Sequence, residues 1–379
     1  MEALLHKAFD RFRDTYGRAA EFAAVAPGRV NLIGDHTDYA GGLALPCAID
    51  LYTVAVAAAR EPGAATRVLS DASATALELP AAPDAQRVGD WGDYLRGVRW
   101  GFARAGIAHP ALDVLLLSNV PLGAGLSSSA ALELAFASLL ETAAGQQLAP
   151  HDRALLCQRA ERDFAGVPCG ILDQFAITFA EAAHAMLLDC RAQEVTQTAL
   201  PDSAALLLID SRVSHDLADG EYAKRRAQVE AAERALPSAL RDCSAADAES
   251  LEDPLLRARA RHVTTENERV KRFAAALAAG DREHAGQLML ESHRSLAEDF
   301  AVSCAELDWL VATAMEAGAF GARMTGGGFG GSVICLCAPE QIAAIRARVD
   351  SDYPSAFGRD AELREVRPVA GAHGMRVEH

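Results

Sequence analysis

Four stretches of this chain collect the residue types that chemistry needs. Gly28-Arg29-Val30-Asn31-Leu32-Ile33-Gly34-Asp35-His36-Thr37-Asp38-Tyr39, continuing to Gly41-Gly42, sets two carboxylates, an imidazole and an arginine within ten positions. Such polar density between turn glycines suits a polyhydroxylated ligand, because Asp and His side chains bond to neighbouring hydroxyls. The same residues would also make a solvated turn with an incidental His, and His36 and Asp38 lack a convincing third ligand for zinc. Pro121-Leu122-Gly123-Ala124-Gly125-Leu126-Ser127-Ser128-Ser129-Ala130 follows an apolar run and opens a helical pattern. Its glycines allow close backbone approach, and its serines fall where a helix leaves N–H groups unpaired. Those donors and the helix dipole suit a phosphate chain, with a serine hydroxyl free to reach Mg²⁺; an ordinary N-cap after a turn is the other reading. Between Glu161 and Phe175, one of the carboxylates Glu161 and Asp173 could hold a metal and the other act as a base, or they could be an exposed helix charge and an N-cap. In Gly321–Gly331, five of the last six residues are glycine, so backbone must pass close to something. That something is a tight interdomain turn or the wall of a phosphate site.

The surrounding pattern predicts the elements that position these residues. Ile49–Ala58 and Leu112–Leu117 read as strands. A helix is predicted over 127–142 from the spacing of Leu132, Phe136, Leu139 and Leu140, and another from Asp152, its candidate N-cap. Strands return at 185–189 and 205–210. Between them the polar stretch 191–203, with Pro201, is the best boundary. Beyond it helices are predicted at 220–236, 246–263, 265–279, 281–297 and 305–317, with Gly318 as a C-cap. A strand at 332–338 follows, Pro339 opens a further helix, and 363–369 is a final strand. Glu61–Gly89 reads as surface strands and loops.

Composition narrows the classes. At 379 residues the chain has room for two domains, and 50% hydrophobic with 23% charged residues is ordinary globular usage. It carries three lysines, Lys7, Lys224 and Lys271, none of them after a glycine. A Walker A loop needs Gly-Lys-[Ser/Thr], so a P-loop enzyme is excluded. A net charge of −16 argues against broad nucleic-acid binding, which depends on clustered cations. No apolar run approaches the ~18 residues of a membrane span, and the start of the chain is charged, without a signal-peptide core. The eight cysteines are scattered without a Cys-x-x-Cys pair, which points away from zinc and from a disulfide framework and towards a reducing cytoplasm.

Taken together the segments resemble the signature motifs of the GHMP kinases. Within that family they are similar to the galactokinases, through Gly-Arg-Val-Asn-Leu-Ile-Gly-Asp-His-Thr-Asp-Tyr, Trp91–Val98, Cys169–Phe175, and Ser214-His215 with Glu221-Tyr222. The resemblance implies an α+β, two-domain architecture, residues 1–195 and 196–379, with the active site in the interdomain cleft. It implies ATP-dependent phosphorylation of the C1 hydroxyl of α-D-galactose. Arg29 and Asp173 would be catalytic. Asp35, His36, Asp38, Gly170, Asp173 and Tyr222 would bind the sugar. Trp91, Gly123, Gly125, Leu126, Ser127, Ser128, Ser129 and Ala130 would bind ATP, and Ser128 with Glu161 would hold Mg²⁺. Sugar and MgATP are then the expected partners of a cytoplasmic monomer or weak homodimer, with neither nucleic acid nor membrane.

One departure stands out. Galactokinases usually carry Glu where this chain has Asp35, and losing a methylene withdraws the carboxylate by ~1.5 Å. In the family that carboxylate helps bind the far end of the sugar, near C6. A shifted preference among related sugars (N-acetylgalactosamine, arabinose, fucose) is one alternative; a non-catalytic galactose sensor is another, set against by the intact Ser128-Ser129-Ala130, Arg29 and Asp173.

Overall fold

The computed structural model describes residues 1–73, 75–82, 86–201, 203–213 and 218–378; Ser214-His215 lie outside the described residues. The chain begins with helix α1 (Glu2–Tyr16), closed by Gly17 in a left-handed conformation. Strand β1 (Phe22–Asn31) is buried at every position. It therefore lacks the in–out alternation that marks a half-exposed strand, and its last four residues are the first four of the glycine-to-tyrosine segment. Next come β2 (Leu43–Ala44), β3 (Pro46–Ala59), β4 (Thr66–Ser70), β5 (Leu77–Leu79), helix α2 (Gly92–Arg104) and β6 (Leu112–Ser118). Helices α3 (Ser128–Ala144), α4 (Pro150–Ala160) and α5 (Leu172–Thr178) lead to β7 (His184–Asp189), β8 (Glu194–Ala199) and β9 (Ala205–Asp210). Helix α4 starts two residues before the expected cap, because Pro150 takes its first position and leaves Asp152 in the first turn, where its charge favours the dipole. The polar stretch 191–203 contains β8, paired antiparallel with β7.

The helical part comprises α6 (Ala218–Arg234), α7 (Ala245–Glu249), α8 (Pro254–Ala278), α9 (Arg282–Glu298) and α10 (Ala305–Glu316). The two helices expected at 246–263 and 265–279 are instead the short α7 and one 25-residue helix, α8. Asp253 caps α8 by accepting from the Leu255 and Leu256 N–H groups. The β-branched pair Thr264-Thr265 does not break it, since both hydroxyls bond back to carbonyls of the preceding turn. After α10 come β10 (Gly321–Thr325), β11 (Ser332–Cys337), α11 (Ile342–Phe357), β12 (Glu362–Val366) and β13 (His373–Arg376).

The strands form three sheets, ordered β13-β1-β3-β6-β4-β5, β10-β11-β9-β12 and β2-β7-β8. Among the described pairings only β4 with β6 is parallel, so the fold is α+β. The last strand returns to the first sheet beside β1. On β3 the period-two rule divides the core. Val54 and Val56 meet Phe12 of α1 on one face, while Ala55 and Ala57 meet Leu134 and Phe136 of α3 on the other. On β9, Leu207 and Ile209 join the helical cluster around Phe300, and Leu206 and Leu208 join a central cluster with Leu32, Ile33 and Phe273. That central cluster ties the two larger sheets together, directly beneath the loop after β1.

Candidate active site

Three loops converge at the end of β1. The Arg29 N–H bonds to the Leu126 carbonyl, and the Arg29 side chain donates from Nη1 to the Gly125 carbonyl at 2.6 Å. The loop before α3 and the glycine cluster after β10 then lie back to back. A Cβ on Gly326 would sit 2.8 Å from the Gly125 carbonyl oxygen, a separation real side chains do not show, so only glycine lets these backbones meet. The Ser332 hydroxyl closes the contact on the Ala124 carbonyl at 2.9 Å.

At this junction Arg29 and Asp173 meet. Arg29 Nε donates to Asp173 Oδ1 at 2.8 Å and Nη2 approaches the same oxygen at 2.6 Å. Ser127 Oγ donates to Oδ2 at 2.6 Å. Ser127 holds a left-handed conformation (φ 58°) just before α3, which aims its hydroxyl at Asp173 and away from a capping role. Asp173 stands in the first turn of α5, after Ile171.

A cavity of about 660 Å³ opens over this pair, lined by Arg29, Asp35, His36, Asp38, Glu161, Asp173 and Tyr222, among others. Within it the acidic loop is partly spoken for. Asp35 accepts from the Gly326 N–H at 3.0 Å and faces the Arg323 guanidinium at 2.5 Å. His36 donates from Nε2 to the Gly327 carbonyl (3.2 Å) and accepts at Nδ1 from the Tyr39 hydroxyl (3.0 Å). This tautomer follows because a carbonyl can only accept. Burial pushes the His36 imidazole down to about 3, so it is a neutral ring. Asp38 is held differently: burial, reinforced by the Asp173 charge, pushes it up to about 6. Its Oδ2 would lie 1.8 Å from a Cβ at Gly170, so glycine there lets the turn before α5 close over the carboxylate. Tyr222, from the first turns of α6, completes the wall, 5.6 Å from the His36 ring.

Glu161 begins a π-helical turn after α4 and is buried. Its Oε1 accepts from the Ser129 hydroxyl at 2.8 Å and its Oε2 from Gln174 Nε2 at 2.5 Å. Sequence reasoning paired Glu161 with Ser128. The structure instead turns Ser129 towards it, since one residue along α3 rotates the side chain by about 100°. Trp91 does not line this cavity: it stands at the residue before α2, without a capping hydrogen bond, and packs on the first core cluster. Leu126 and Ala130 are buried beneath the phosphate-type loop, while Gly123 is exposed on its outer turn.

Sequence reasoning also passed over Arg323, Gln174 and Glu133. Glu133 is fully buried on α3 and shares the Gln174 amide with Glu161 at 3.1 Å. Its signal was an acid among apolar helix positions. Burial, then the Glu161 charge, pushes Glu133 well above the ordinary carboxylate range. Such an acid keeps its proton when folded and releases it on unfolding, so stability is lost as pH rises from the unfolded value towards the folded one. Glu133→Gln removes that dependence. The variant is expected to gain more over wild type at pH 8 than at pH 5. Urea denaturation at both values checks this; an equal difference at both would mean that Glu133 titrates like an ordinary glutamate.

Comparison with known proteins matches this architecture segment by segment. A family model described as the galactokinase galactose-binding signature matches residues 10–59. The GHMP kinases N terminal domain matches 93–181 and the GHMP kinases C terminal domain matches 273–355. The mevalonate kinase of Methanococcus jannaschii shares the fold at TM-score 0.70 with 17% identity, over 93% of this chain and 99% of that one. The fold is thus that of a GHMP kinase. Galactokinase of Streptomyces coelicolor is 42% identical over 99% of both chains, and human galactokinase 44% identical over 88% of both. The crystal structure of Lactococcus lactis galactokinase complexed with galactose superposes at TM-score 0.92, with 31% identity over 97% of this chain and 99% of that one. The chain belongs to the galactokinase family.

Proposed function

We propose that this chain transfers the γ-phosphoryl group of ATP to the C1 hydroxyl of α-D-galactose, giving α-D-galactose 1-phosphate and ADP in galactose metabolism. The observation that carries the reading is the Arg29–Asp173–Ser127 constellation under a cavity of sugar size. Asp173 takes the C1 proton, the freed oxygen forms its bond to the γ-phosphorus, and the bond from that phosphorus to the ADP oxygen breaks. Arg29 and Ser127 hold Asp173 in place, and Arg29 lies where charge develops on the transferring group. Asp38, Gly170 and Tyr222 face the other hydroxyls, with Asp35 and His36 shaping the wall.

The donor set suits a hard divalent cation. Glu161 with a Ser128 or Ser129 hydroxyl offers oxygen ligands, and Mg²⁺ is held by few protein groups plus phosphates. Among the described residues no group of three His, Cys, Asp or Glu could hold a metal by itself. Mg²⁺, when bound, neutralises triphosphate charge. The triphosphate sits against the N–H groups at Gly123–Ala130, with Trp91 on the adenine side. Among the described residues no helix is long and apolar enough to cross a membrane. The free cysteines suit the cytoplasm, and the scattered exposure of Met1, Val88, Leu122 and Leu255 suits a monomer or weak homodimer.

An ATP-coupled assay across hexoses tests the reading: galactose is expected to be phosphorylated, and a folded protein inert towards it would overturn it. Sugar preference is tested at Asp35. Both of its oxygens are already engaged, one by the Gly326 N–H and the other by Arg323. Asp35→Glu is expected to raise the ratio of kcat/KM for galactose over arabinose, which lacks that carbon, by about tenfold. An unchanged ratio would place position 35 away from C6.

A further inference from the structure

The loop carrying Asp35, His36 and Asp38 belongs to the N-terminal half of the chain, yet its backbone is gripped by α8. Among the polar side chains of this helix that are buried without lining the cavity, His262, Glu266 and Asn267 reach the loop. Glu266 Oε1 accepts from the Gly34 N–H at 2.9 Å. His262 Nε2 donates to the Asp35 carbonyl at 3.1 Å. Asn267 Oδ1 accepts from the Leu43 N–H at 2.8 Å. The loop is thus pinned at its entry, at its first acidic residue and at its exit.

The grip is itself braced. Ser292 of α9 donates to Glu266 Oε1 at 2.5 Å, and Arg269 Nε to Oε2 at 2.7 Å. Burial would push Glu266 up, but Arg269 and the surrounding groups bring it down to about 2, so it is an anion at the pH of any assay. The Phe300 ring lies between His262 and His36, with both ring centroids 4.7 Å away. Gly34 admits no substitute, as a Cβ would meet Ala44 Cα and the Leu43 carbonyl at 2.6 Å. The loop therefore has one seat, and α8 supplies the groups that satisfy its backbone there.

We propose that α8 is the positioning element of the sugar loop, with Glu266 and Asn267 fixing the backbone that sets Asp35, His36 and Asp38 against the sugar while taking no part in phosphoryl transfer. The inference rests on reading that loop as the sugar side of the cavity. Arg29, Asp173 and Ser127 are held by other elements, so loosening the loop weakens sugar binding and spares the chemical step.

The test is steady-state kinetics of the full chain with both substrates varied, alongside thermal unfolding. Glu266→Met and Asn267→Ala are each expected to raise the KM for galactose about tenfold, the loss of one well-placed hydrogen bond. KM for MgATP and kcat at saturating sugar should stay within about threefold. Glu266→Gln keeps an acceptor for Gly34 and is expected to recover most of the sugar affinity, which a general loss of packing would not allow. A sugar KM unchanged in Asn267→Ala, or sugar and MgATP KM rising together, overturns the proposal. Should Glu266→Met fail to fold, Asn267→Ala and Ser292→Ala decide it by the same criteria. If the wild type phosphorylates another sugar and not galactose, the reading of the substrate falls, while the same split measured on that sugar still decides the role of α8.

Discussion

Asp173→Asn is expected to lower kcat by about a thousandfold or more while galactose still binds within about threefold of wild type. The asymmetry follows from geometry. Asp173 is held on one oxygen by Arg29 and on the other by Ser127, and an asparagine can keep that position. Its oxygen still faces the guanidinium, and its amide can donate to the Ser127 oxygen, which accepts as readily as it donates. Binding hydrogen bonds are thus largely kept, and what disappears is an atom able to carry away the C1 proton. A positioned base contributes roughly 10²–10⁴ to such a step, and the remainder comes from alignment of the reactants and stabilised charge. Single-turnover rates with MgATP, beside calorimetric titration with galactose alone, separate the two effects. A rate within tenfold of wild type would mean that Asp173 only orients the hydroxyl and that the proton leaves by another route.

How much of this was legible in the sequence depends on what each residue contacts. The motifs carry their own short-range logic, so Arg29, Asp173, Ser127–Ser129 and Glu161 could be named from types and spacing. Helices α3, α6, α9 and α10 and strands β3, β6, β7, β9 and β11 could be named from period and length, whereas α8 read as two helices because its polar stripe gives no sign that it runs unbroken. Strand β1 could not, because it is buried on both faces and ends inside a motif whose glycines read as a turn. Strand β10 was hidden in the same way, with every residue buried at the head of a glycine run. Which serine faces Glu161 could not be read, since the phase of a helix relative to a partner thirty-two residues away is a tertiary fact. His262, Glu266 and Asn267 were unreadable for a related reason. Their spacing looks like any polar helix stripe, and their partners lie more than two hundred residues upstream. Trp91 could be named only through the family pattern, since nothing in its own spacing marks a ring that packs against the first core cluster at the start of α2.

Arg323→Met should be the most destabilising single change among those considered. Arg323 is fully buried on β10 and stands 2.5 Å from Asp35, while its Nη1 donates to the Asn31 carbonyl. Burial pushes Asp35 up and Arg323 is the strongest opposing influence, so removing the cation leaves a buried carboxylate with the Gly326 N–H and little else. Breaking one side of such a pair costs roughly 3–5 kcal/mol. The sign with pH follows from the same carboxylate. With its folded value raised further, Asp35 costs stability above its unfolded value and recovers it by taking a proton. The deficit of Arg323→Met should therefore shrink as pH falls, by up to about 1.4 kcal/mol per unit. Adding Asp35→Asn removes the stranded charge, so the double variant is expected to be more stable than Arg323→Met alone at pH 7.5. Urea denaturation of wild type, both single variants and the double variant closes the cycle. Simple additivity would show that Asp35 and Arg323 are not coupled. Coupling, together with a weakened galactose KM in the folded double variant, would show that this pair bonds the acidic loop after β1 to the glycine turn after β10. The two walls of the cavity would then be set by one buried contact between them.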